Sequence, residues 1–169
     1  MSVATSYEEP ILMTAAGYEE RTRELELMRS EARRELGERL RQARQDGDLA
    51  DNPALHDLLE ERVQLERRIA LLQGQLAVAE VVEPATGGRA GIGTIVRVRD
   101  EEGETFRYEL VGALEADAEN GRVSISAPVG RALLGSGAGE RVEVATPRGP
   151  LALEVVSVRA GQAPARRAA

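Results

Sequence analysis

The acidic segment QDGDLADNPALHD, residues 45–57, carries the side chains of this chain that are best suited to chemistry. Asp48 and Asp51 lie three positions apart in it, and it also holds the only histidine, His56. Mg²⁺ is usually held in proteins by one or two carboxylates, because the ion keeps several waters. These carboxylates make a cation one of the expected partners of this segment. An acidic loop that serves only solubility is the alternative, and a lone histidine more often packs or hydrogen-bonds than binds a metal.

Residues that shape a turn surround these two aspartates. Gly47 is a helix stop signal, and Asn52 followed by Pro53 is the arrangement of an N-cap and a first-turn proline. No proline interrupts the long segments on either side. The residues that we interpret as support for this tip are Gly47, Leu49, Asn52 and His56.

The composition limits the class of protein. The 169 residues allow one ordinary domain or two small ones, without cysteine and with a net charge of −7. No apolar run reaches the roughly 18 residues of a transmembrane helix, and the first dozen residues lack the features of a signal peptide. We expect a soluble cytoplasmic protein with no membrane partner and no small-molecule substrate.

Acids outnumber bases in both halves of the chain. Residues 1–82 carry 17 acids and 11 arginines, and residues 83–169 carry 12 acids and 11 arginines. Neither half has the dominant positive charge of a free-standing duplex-DNA binder, and few aromatic residues are present for base stacking. A protein partner or a cation is the better expectation.

Two amphipathic helices are predicted in residues 13–82. Apolar residues recur at helical spacing on both sides of the acidic segment. They are Tyr18, Leu25, Met28, Ala32, Leu36, Leu40 and Ala43, then Leu58, Leu65, Ile69, Leu72, Leu76 and Ala79. Thr14 is the expected N-cap, and Arg62 completes the second stripe through its aliphatic stem. The pattern predicts an antiparallel coiled coil with a tip loop at 46–53, preceded by a flexible N-terminus at 1–12.

The helical period stops after residue 82, where a linker at 83–93 begins. Segments of alternating apolar and polar residues then predict a β domain at 94–159, in which we expect an antiparallel sheet. PVGRALLG is its one helical segment, started by Pro128 and ended by Gly135. Residues 160–169 are expected to be a disordered tail. The fold class is α+β, a helical hairpin followed by a β domain with one short helix.

Three segments of the chain resemble one protein family. MTAAGYEERTRELELM, residues 13–28, is similar to its opening, and ARQDGDLADNPALH, residues 43–56, resembles its loop A-R-x-x-G-D-L-x-E-N-x-x-Y-H. VSISAPVGRALLGSGAGERVEVATPRG, residues 123–149, is similar to its S-P-x-x-x-x-L-x-G and T-P-x-G stretches. On these motifs, from about residue 11 to residue 158, the chain resembles the bacterial Gre transcript-cleavage factors, which act in transcription elongation.

The resemblance implies a mode of action. The β domain, FKBP-like in this family, docks on bacterial RNA polymerase, while the coiled coil enters the secondary channel and its tip reaches the active centre of a backtracked complex. The factor is then not an enzyme, because it stimulates the polymerase's own endonucleolytic cleavage of nascent RNA. Asp48 and Asp51 help to hold the second Mg²⁺ or orient its water, and the chain alone holds no Mg²⁺ stably. Leu49 packs against the channel wall.

Further site residues are implied by the same resemblance. Arg41 and Arg44 are expected to contact the 3′ end of the nascent RNA within the complex. The segment that docks on the polymerase corresponds to Ala127, Pro128, Val129 and Arg131. Pro128 is the preferred docking residue because it lies at the exposed start of the short helix. We assign the leucines that follow, Leu133 and Leu134, to core packing.

Three other functions stay open. Asp51 stands where the family usually has Glu, and Pro53 where proline is not usual, which favours a Gre-like paralogue that occupies the channel and inhibits or modulates the polymerase. The FKBP-like architecture suggests a prolyl isomerase. The aromatic residues of the domain are only Phe106 and Tyr108, however, and we place them on alternate faces of a strand. A coiled-coil interaction module would explain the hairpin and leave the acidic loop as coincidence.

Overall fold

The computed structural model of the chain describes residues 10–45, 52–147 and 149–161. These residues divide into two compact units. One holds the helices from Glu19 to Val78, and the other holds the residues up to Tyr18 together with those from Ala79 onward. The first unit is helical, the second is built mainly from strands, and each has its own buried apolar cluster.

Three α-helices and one π-helical turn account for the N-terminal half. They are α1 (Ala15–Leu27), the π turn (Met28–Ala32), α2 (Arg33–Gln45) and α3 (Pro53–Ala77). The hydroxyl of Thr14 accepts a hydrogen bond from the Gly17 N–H at 3.0 Å, so the predicted N-cap of α1 is confirmed. Within the part of the chain that the structure describes, no helix combines the length and apolarity needed to cross a membrane.

Helices α2 and α3 run antiparallel. Arg33 donates to Glu66 at 2.5 Å, and Arg39, farther along α2, donates to Glu61, which comes earlier on α3, at 2.8 Å. Both ion pairs are exposed, so they fix the register more than they stabilise the unit. The seam between the helices is apolar, and its buried members are Leu36, Leu40, Leu55 and Leu58. The predicted antiparallel hairpin is confirmed.

Arg62 of α3 is exposed, and it borders the seam beside Leu36, Leu40 and Leu65, in agreement with the predicted role of its aliphatic stem. Two details of the hairpin differ from the sequence prediction. Ala79 lies beyond the end of α3, in a short strand. The π turn was not predicted, because five residues are too few to show a period of their own.

The second unit contains two sheets. The small sheet is a parallel pair of β1 (Ile11–Met13) and β2 (Ala79–Val81). The strands of the large sheet are β3 (Thr94–Arg99), β4 (Thr105–Val111), β5 (Arg122–Ser124), β6 (Arg141–Thr146) and β7 (Gly149–Ala160). Their order across the sheet is β5-β4-β3-β7-β6.

One face of the large sheet carries the core of this unit. Side chains alternate along a strand, so every second residue faces the core and the residues between them face away. The strand residues of the buried apolar cluster are Val96, Val98, Leu110, Val144, Leu153 and Val155. The short helix α4 (Pro128–Leu133) adds Leu133, which is fully buried, to the same cluster.

The large sheet differs from the predicted one in the direction of one strand. Three of its pairings are antiparallel, but β4 and β5 pair in parallel. The connection between them holds a 3₁₀ turn (Ala113–Glu115) and a tight turn at Asp117, which bring the chain back in the same direction. Alternation along a strand does not encode its direction, so the sequence could not reveal this. The α+β class is confirmed, with a mixed sheet.

Residues 11–13 and 79–81 were expected in the flexible N-terminus and the coiled coil, and they form β1 and β2 instead. Met13 is fully buried. Strands of three residues are too short to give a detectable alternation, and the whole hairpin separates these two in sequence.

Candidate functional site

Asn52 ties together the two helix ends at the tip of the hairpin. Its side-chain oxygen accepts a hydrogen bond from the Leu55 N–H at 3.2 Å and so caps the first turn of α3. Its side-chain NH₂ donates to the carbonyl of Ala43, in the last turn of α2, at 3.1 Å. The predicted cap is confirmed. The bond to α2 was missed, because it depends on how the two helices face each other and not on local sequence.

Four predicted tip residues lie outside the described residues: Gly47, Asp48, Leu49 and Asp51. They are flanked by Gln45, the last residue of α2, and by Asn52. His56 is exposed, and its backbone N–H donates to the Asn52 carbonyl at 3.3 Å. Among the residues that the structure describes, no group of three or more His, Asp or Glu side chains could hold a metal ion.

Three arginines surround a shallow groove near the end of α2. Arg41 and Arg44 come from α2 and Arg62 comes from α3, and all three are exposed. The groove has a volume of about 370 Å³ and is also lined by Gly37, Leu40 and Gln45. None of the three arginines forms an ion pair with another described residue. The structure thus brings the predicted pair Arg41 and Arg44 together.

Arg62 is a residue of this groove that the sequence analysis missed. It was interpreted as part of the apolar stripe because of its position in the heptad pattern. The available signal was its residue type, since an arginine was the one charged member of that stripe. Arg62 also lies near Glu66 and helps to lower the pKa of that carboxyl, so Arg41 and Arg44 are the arginines of the groove better suited to an anionic ligand such as a phosphate.

The predicted docking segment surrounds the start of α4. Pro128 and Arg131 are exposed, whereas Val129 packs against the buried core of the unit. Ala127 is half-buried, and its carbonyl accepts a hydrogen bond from the Arg131 N–H at 2.8 Å. The segment therefore presents two of its four residues to solvent.

The two leucines that follow this segment differ in their exposure to solvent. Leu133 is fully buried, as predicted, but Leu134 is 49% exposed, so its assignment to the core is wrong. The helix ends between them, and the chain turns at Gly135, whose positive φ of 80° is a conformation that glycine adopts without strain. Leu134 is thus left on the outside of the unit, as an apolar residue that sequence reasoning did not assign to the surface.

Phe106 and Tyr108 share one face of β4, which corrects the prediction of alternate faces. The rings of Phe106 and Tyr108 stack with centroids 6.3 Å apart and planes inclined by 10°. Residues two positions apart on a strand point to the same side, so the stacking follows from the spacing itself. Burial raises the pKa of the Tyr108 hydroxyl. The pair forms one stack and not the aromatic ring around a proline that an isomerase needs.

Comparison with known proteins assigns both parts of the chain. The family described as "Transcription elongation factor, N-terminal" matches residues 11–81, and "Transcription elongation factor, GreA/GreB, C-term" matches residues 85–160. A capped helical hairpin with a mixed-sheet unit is here the architecture of a transcription elongation factor. The resemblance noted in the three sequence motifs is confirmed. The chain belongs to the GreA/GreB family.

Two relatives compared by sequence agree with this assignment. Transcription elongation factor GreA of Cereibacter sphaeroides is 40% identical over 153 residues, which cover 89% of this chain and 98% of the relative. GreA of Chlorobaculum parvum is 37% identical over 152 residues, covering 88% and 96%. The crystal structure of GreA factor homolog 1 of Thermus thermophilus is 29% identical, covers 89% of this chain and 99% of its own, and has a TM-score of 0.42.

Proposed function

We propose that this chain binds bacterial RNA polymerase through its C-terminal unit and inserts its helical hairpin into the secondary channel. There it stimulates endonucleolytic cleavage of nascent RNA in backtracked complexes. The polymerase carries out the hydrolysis, and the chain supplies acidic side chains at the tip. The membership in the GreA/GreB family supports the class of function, and the hairpin supports the manner in which it acts.

The observation that carries the proposal is the double hydrogen bond of Asn52. This side chain joins the last turn of α2 to the first turn of α3, so both ends of the segment that holds the acids are fixed. Asp51 directly precedes Asn52 in the sequence. Catalytic groups lose about a hundredfold in rate when displaced by about 1 Å. A tie between the helix ends is therefore the support that a pair of acting carboxylates requires.

The donor chemistry of Asp48 and Asp51 fits a shared Mg²⁺. Carboxylate oxygens are hard ligands, and Mg²⁺ bound by one or two of them keeps waters in its shell. When bound, the ion supplies a Lewis acid for the phosphodiester and lowers the pKa of a bound water. The two aspartates contribute oxygens to the ion or orient that water by hydrogen bonds. Two carboxylates alone make a weak site, so the ion is held jointly with the polymerase.

The groove lined by Arg41, Arg44 and Arg62 supplies the contact with nascent RNA in this proposal. All three arginines are exposed, and Arg41 and Arg44, which form no ion pair among the described residues, are available to the phosphates of the RNA 3′ segment. On the second unit, Pro128, Arg131 and Leu134 supply the exposed docking residues for the polymerase.

A cleavage assay on stalled elongation complexes tests the proposal. The chain is compared with its Asp48→Ala, Asp51→Ala double variant and with Asp57→Ala, Glu60→Ala, which removes two exposed acids from α3. We expect the unmodified chain and the α3 control to shorten the RNA rapidly, and the tip variant to act at the intrinsic rate of the polymerase. If the unmodified chain binds the polymerase but cleaves as slowly as the tip variant, the proposal fails.

A second candidate function is a Gre-like paralogue that occupies the channel and inhibits or modulates the polymerase. It is favoured by Asp51, which is one methylene shorter than the glutamate usual at this position, and by Pro53, which occupies the first turn of α3. An Asp51→Glu variant separates the two functions. Cleavage that appears only in this variant supports the modulator, and cleavage already present in the unmodified chain supports the stimulator.

A further inference from the structure

One exposed side of α3 carries a second row of apolar residues, separate from the buried seam with α2. Leu59 is 37% exposed and Val63 is 48% exposed, and Ala70 and Ala77 continue the row at exposed positions. Successive members stand three and four residues apart in alternation, which is the heptad spacing of a coiled-coil seam. We call this row the outer stripe, and its members are His56, Leu59, Val63, Glu66, Ala70, Gln73 and Ala77.

A shallow groove lies along the middle of the outer stripe. It has a volume of about 580 Å³ and is lined by Leu59, Arg62, Val63, Glu66, Arg67 and Ala70. Grooves between the side chains on a helix surface accept the ridges of a second helix. An apolar row that repeats at heptad spacing differs from scattered apolar surface residues, which need no partner. Helix α3 therefore has one seam that α2 occupies and a second seam suited to another helix.

Two residues of opposite charge flank the outer stripe on the same side. Glu60 follows Leu59, and Arg67 follows Glu66, so both occupy the heptad position next to the seam. Both are exposed, and neither forms an ion pair with another described residue. Charges at such positions set which helix pairs with a seam and in which direction. This flank suits a partner helix that carries the same two charges in reverse order.

We propose that a second copy of this chain packs on the outer stripe, with the two α3 helices antiparallel about a two-fold axis. In this dimer Leu59 of each copy packs against Ala70 of the other, a large side chain against a small one. Val63 packs against the aliphatic stem of Glu66, whose carboxylate is held by Arg33 of its own chain at 2.5 Å. A two-fold interface uses the same surface on both copies, so one self-complementary row is sufficient.

The flanking charges select the antiparallel direction. The same arrangement places Glu60 of each copy beside Arg67 of the other, and the two-fold axis forms this ion pair twice. A parallel pairing along the outer stripe would instead place Arg62 beside Arg67 of the other copy, where like charges repel. The second copy thus supplies an ion-pair partner for both charges, which have none within the described part of one chain.

The expected dimer is weak and reversible. The outer stripe extends over residues 56–77 of a single helix, and one of its central positions is the acid Glu66. An interface of this kind falls into the class below about 1,200 Å², in which complexes are transient. Dimers should therefore form and dissociate with the concentration of the chain. The inference goes beyond the proposed function, and it uses neither the tip acids nor the docking residues.

Sedimentation equilibrium of the full chain over a concentration series tests the proposal. The test variants are Glu60→Arg and Arg67→Glu, each measured alone and in an equal mixture of the two. The matched controls are Glu26→Arg and Arg23→Glu, measured in the same way. They reverse the same types of charge at exposed positions of α1, where neither residue forms an ion pair with another described residue.

The weight-average mass of the unmodified chain is expected to rise from that of one chain towards that of two as the concentration increases. Each test variant alone is expected to keep the mass of one chain, because like charges then face each other twice across the interface. The mixture is expected to recover a mass approaching two chains, because each altered charge meets an opposite charge on the other variant. This recovery shows that both variants fold. Both controls behave as the unmodified chain does.

Four outcomes overturn the proposal: an unmodified chain that keeps the mass of one chain at every concentration, test variants that associate alone as the unmodified chain does, a mixture without recovery, or a mass that passes that of two chains. Stronger association of Arg67→Glu alone also overturns it, because this variant relieves the contact with Arg62 in the parallel arrangement. None of these outcomes bears on the proposed function, since Glu60 and Arg67 belong to none of its tip, groove and docking residues.

Discussion

The carboxylate of Glu115 accepts a hydrogen bond from the backbone N–H of Thr14 at 2.9 Å, although 101 positions separate the two residues. The same carboxylate accepts bonds from the Thr14 hydroxyl and, at 3.1 Å, from the Gly112 N–H. Glu115 is 1% exposed, and the Arg122 guanidinium lies 3.7 Å from it. A buried charge is tolerated when it is paired and fully hydrogen-bonded, and here it holds Thr14, the N-cap of α1, within the second unit.

Replacement of Glu115 by alanine is expected to lower the free energy of unfolding by about 3 kcal/mol. The substitution removes the acceptor of the half-buried Thr14 donors and of the buried Gly112 N–H, and a buried donor without an acceptor costs about 1–3 kcal/mol. Urea unfolding measures the change, and Glu119→Ala, at an exposed position of the same connection, is the control. A loss no larger than that of the control would mean that water replaces the carboxylate at no cost.

Gly17→Ala and Gly74→Ala are expected to change stability in opposite directions. A Cβ at Gly17 would lie 1.9 Å from the Glu115 carboxylate, which is held by its own hydrogen bonds and cannot move aside freely. A Cβ at Gly74 meets nothing within 4 Å. Thermal unfolding should show destabilisation for Gly17→Ala and a gain of about 0.5–1 kcal/mol for Gly74→Ala. Stabilisation by both substitutions would contradict the close packing at Gly17.

Two variants are expected to distinguish the effects of the two hydrogen bonds of Asn52. Asn52→Asp keeps the acceptor that caps α3 but loses the donor to Ala43, whereas Asn52→Ala loses both. Loss of the cap costs about 1 kcal/mol, so Asn52→Ala should be the less stable variant in urea unfolding. Under the proposed function both variants cleave RNA more slowly than the unmodified chain, because both release α2. Unimpaired cleavage by Asn52→Asp would show that the tie to α2 is not needed.

The helical unit is expected to lose stability in acid. The hydrogen bond from Arg33 holds the pKa of Glu66 below its ordinary value of 4.5. Burial works to raise the pKa of Glu24, but hydrogen bonds from Arg21 and Arg68 outweigh it and lower that pKa as well. A carboxyl with a lowered folded pKa stabilises the fold above its unfolded pKa, and this contribution is lost as the pH falls through the folded value.

Helicity measured by circular dichroism in moderate urea should therefore decline as the pH falls below about 4.5. Glu24→Gln, Glu66→Gln should show a flatter decline than the matched variant Glu60→Gln, Glu119→Gln, whose acids form no ion pair among the described residues. Parallel declines of the two variants would exclude a contribution from these ion pairs.

A feature could be predicted from the sequence when residues close to it along the chain determine it. The caps at Thr14 and Asn52 are set by a few neighbouring residues, and both are present. The hairpin follows from a long apolar period, which tolerates a single exposed member such as Arg62. These features need no knowledge of distant partners, so residue type and spacing were sufficient.

Features that depend on distant partners were not predicted. The bond from Asn52 to Ala43, the pairing of β1 with β2 and the parallel direction of β5 all require the folded arrangement. The register that opposes Arg97 to Arg107 was missed as well, because neither strand encodes it alone. Glu115 is one acid among many in the sequence, and only its burial distinguishes it.

The pairing of β1 with β2 makes the hairpin an insertion within the sequence of the second unit. β1 precedes the hairpin and β2 follows it, yet both belong to the second unit. A C-terminal fragment that begins after α3 would therefore lack β1 and the hydrogen-bond donors of Thr14. The carboxylate of Glu115 would then lose most of its partners. Conversely, matched heptad deletions in α2 and α3 shorten the inserted segment and leave the host unit complete. The length of the hairpin can thus vary independently of the unit that carries it.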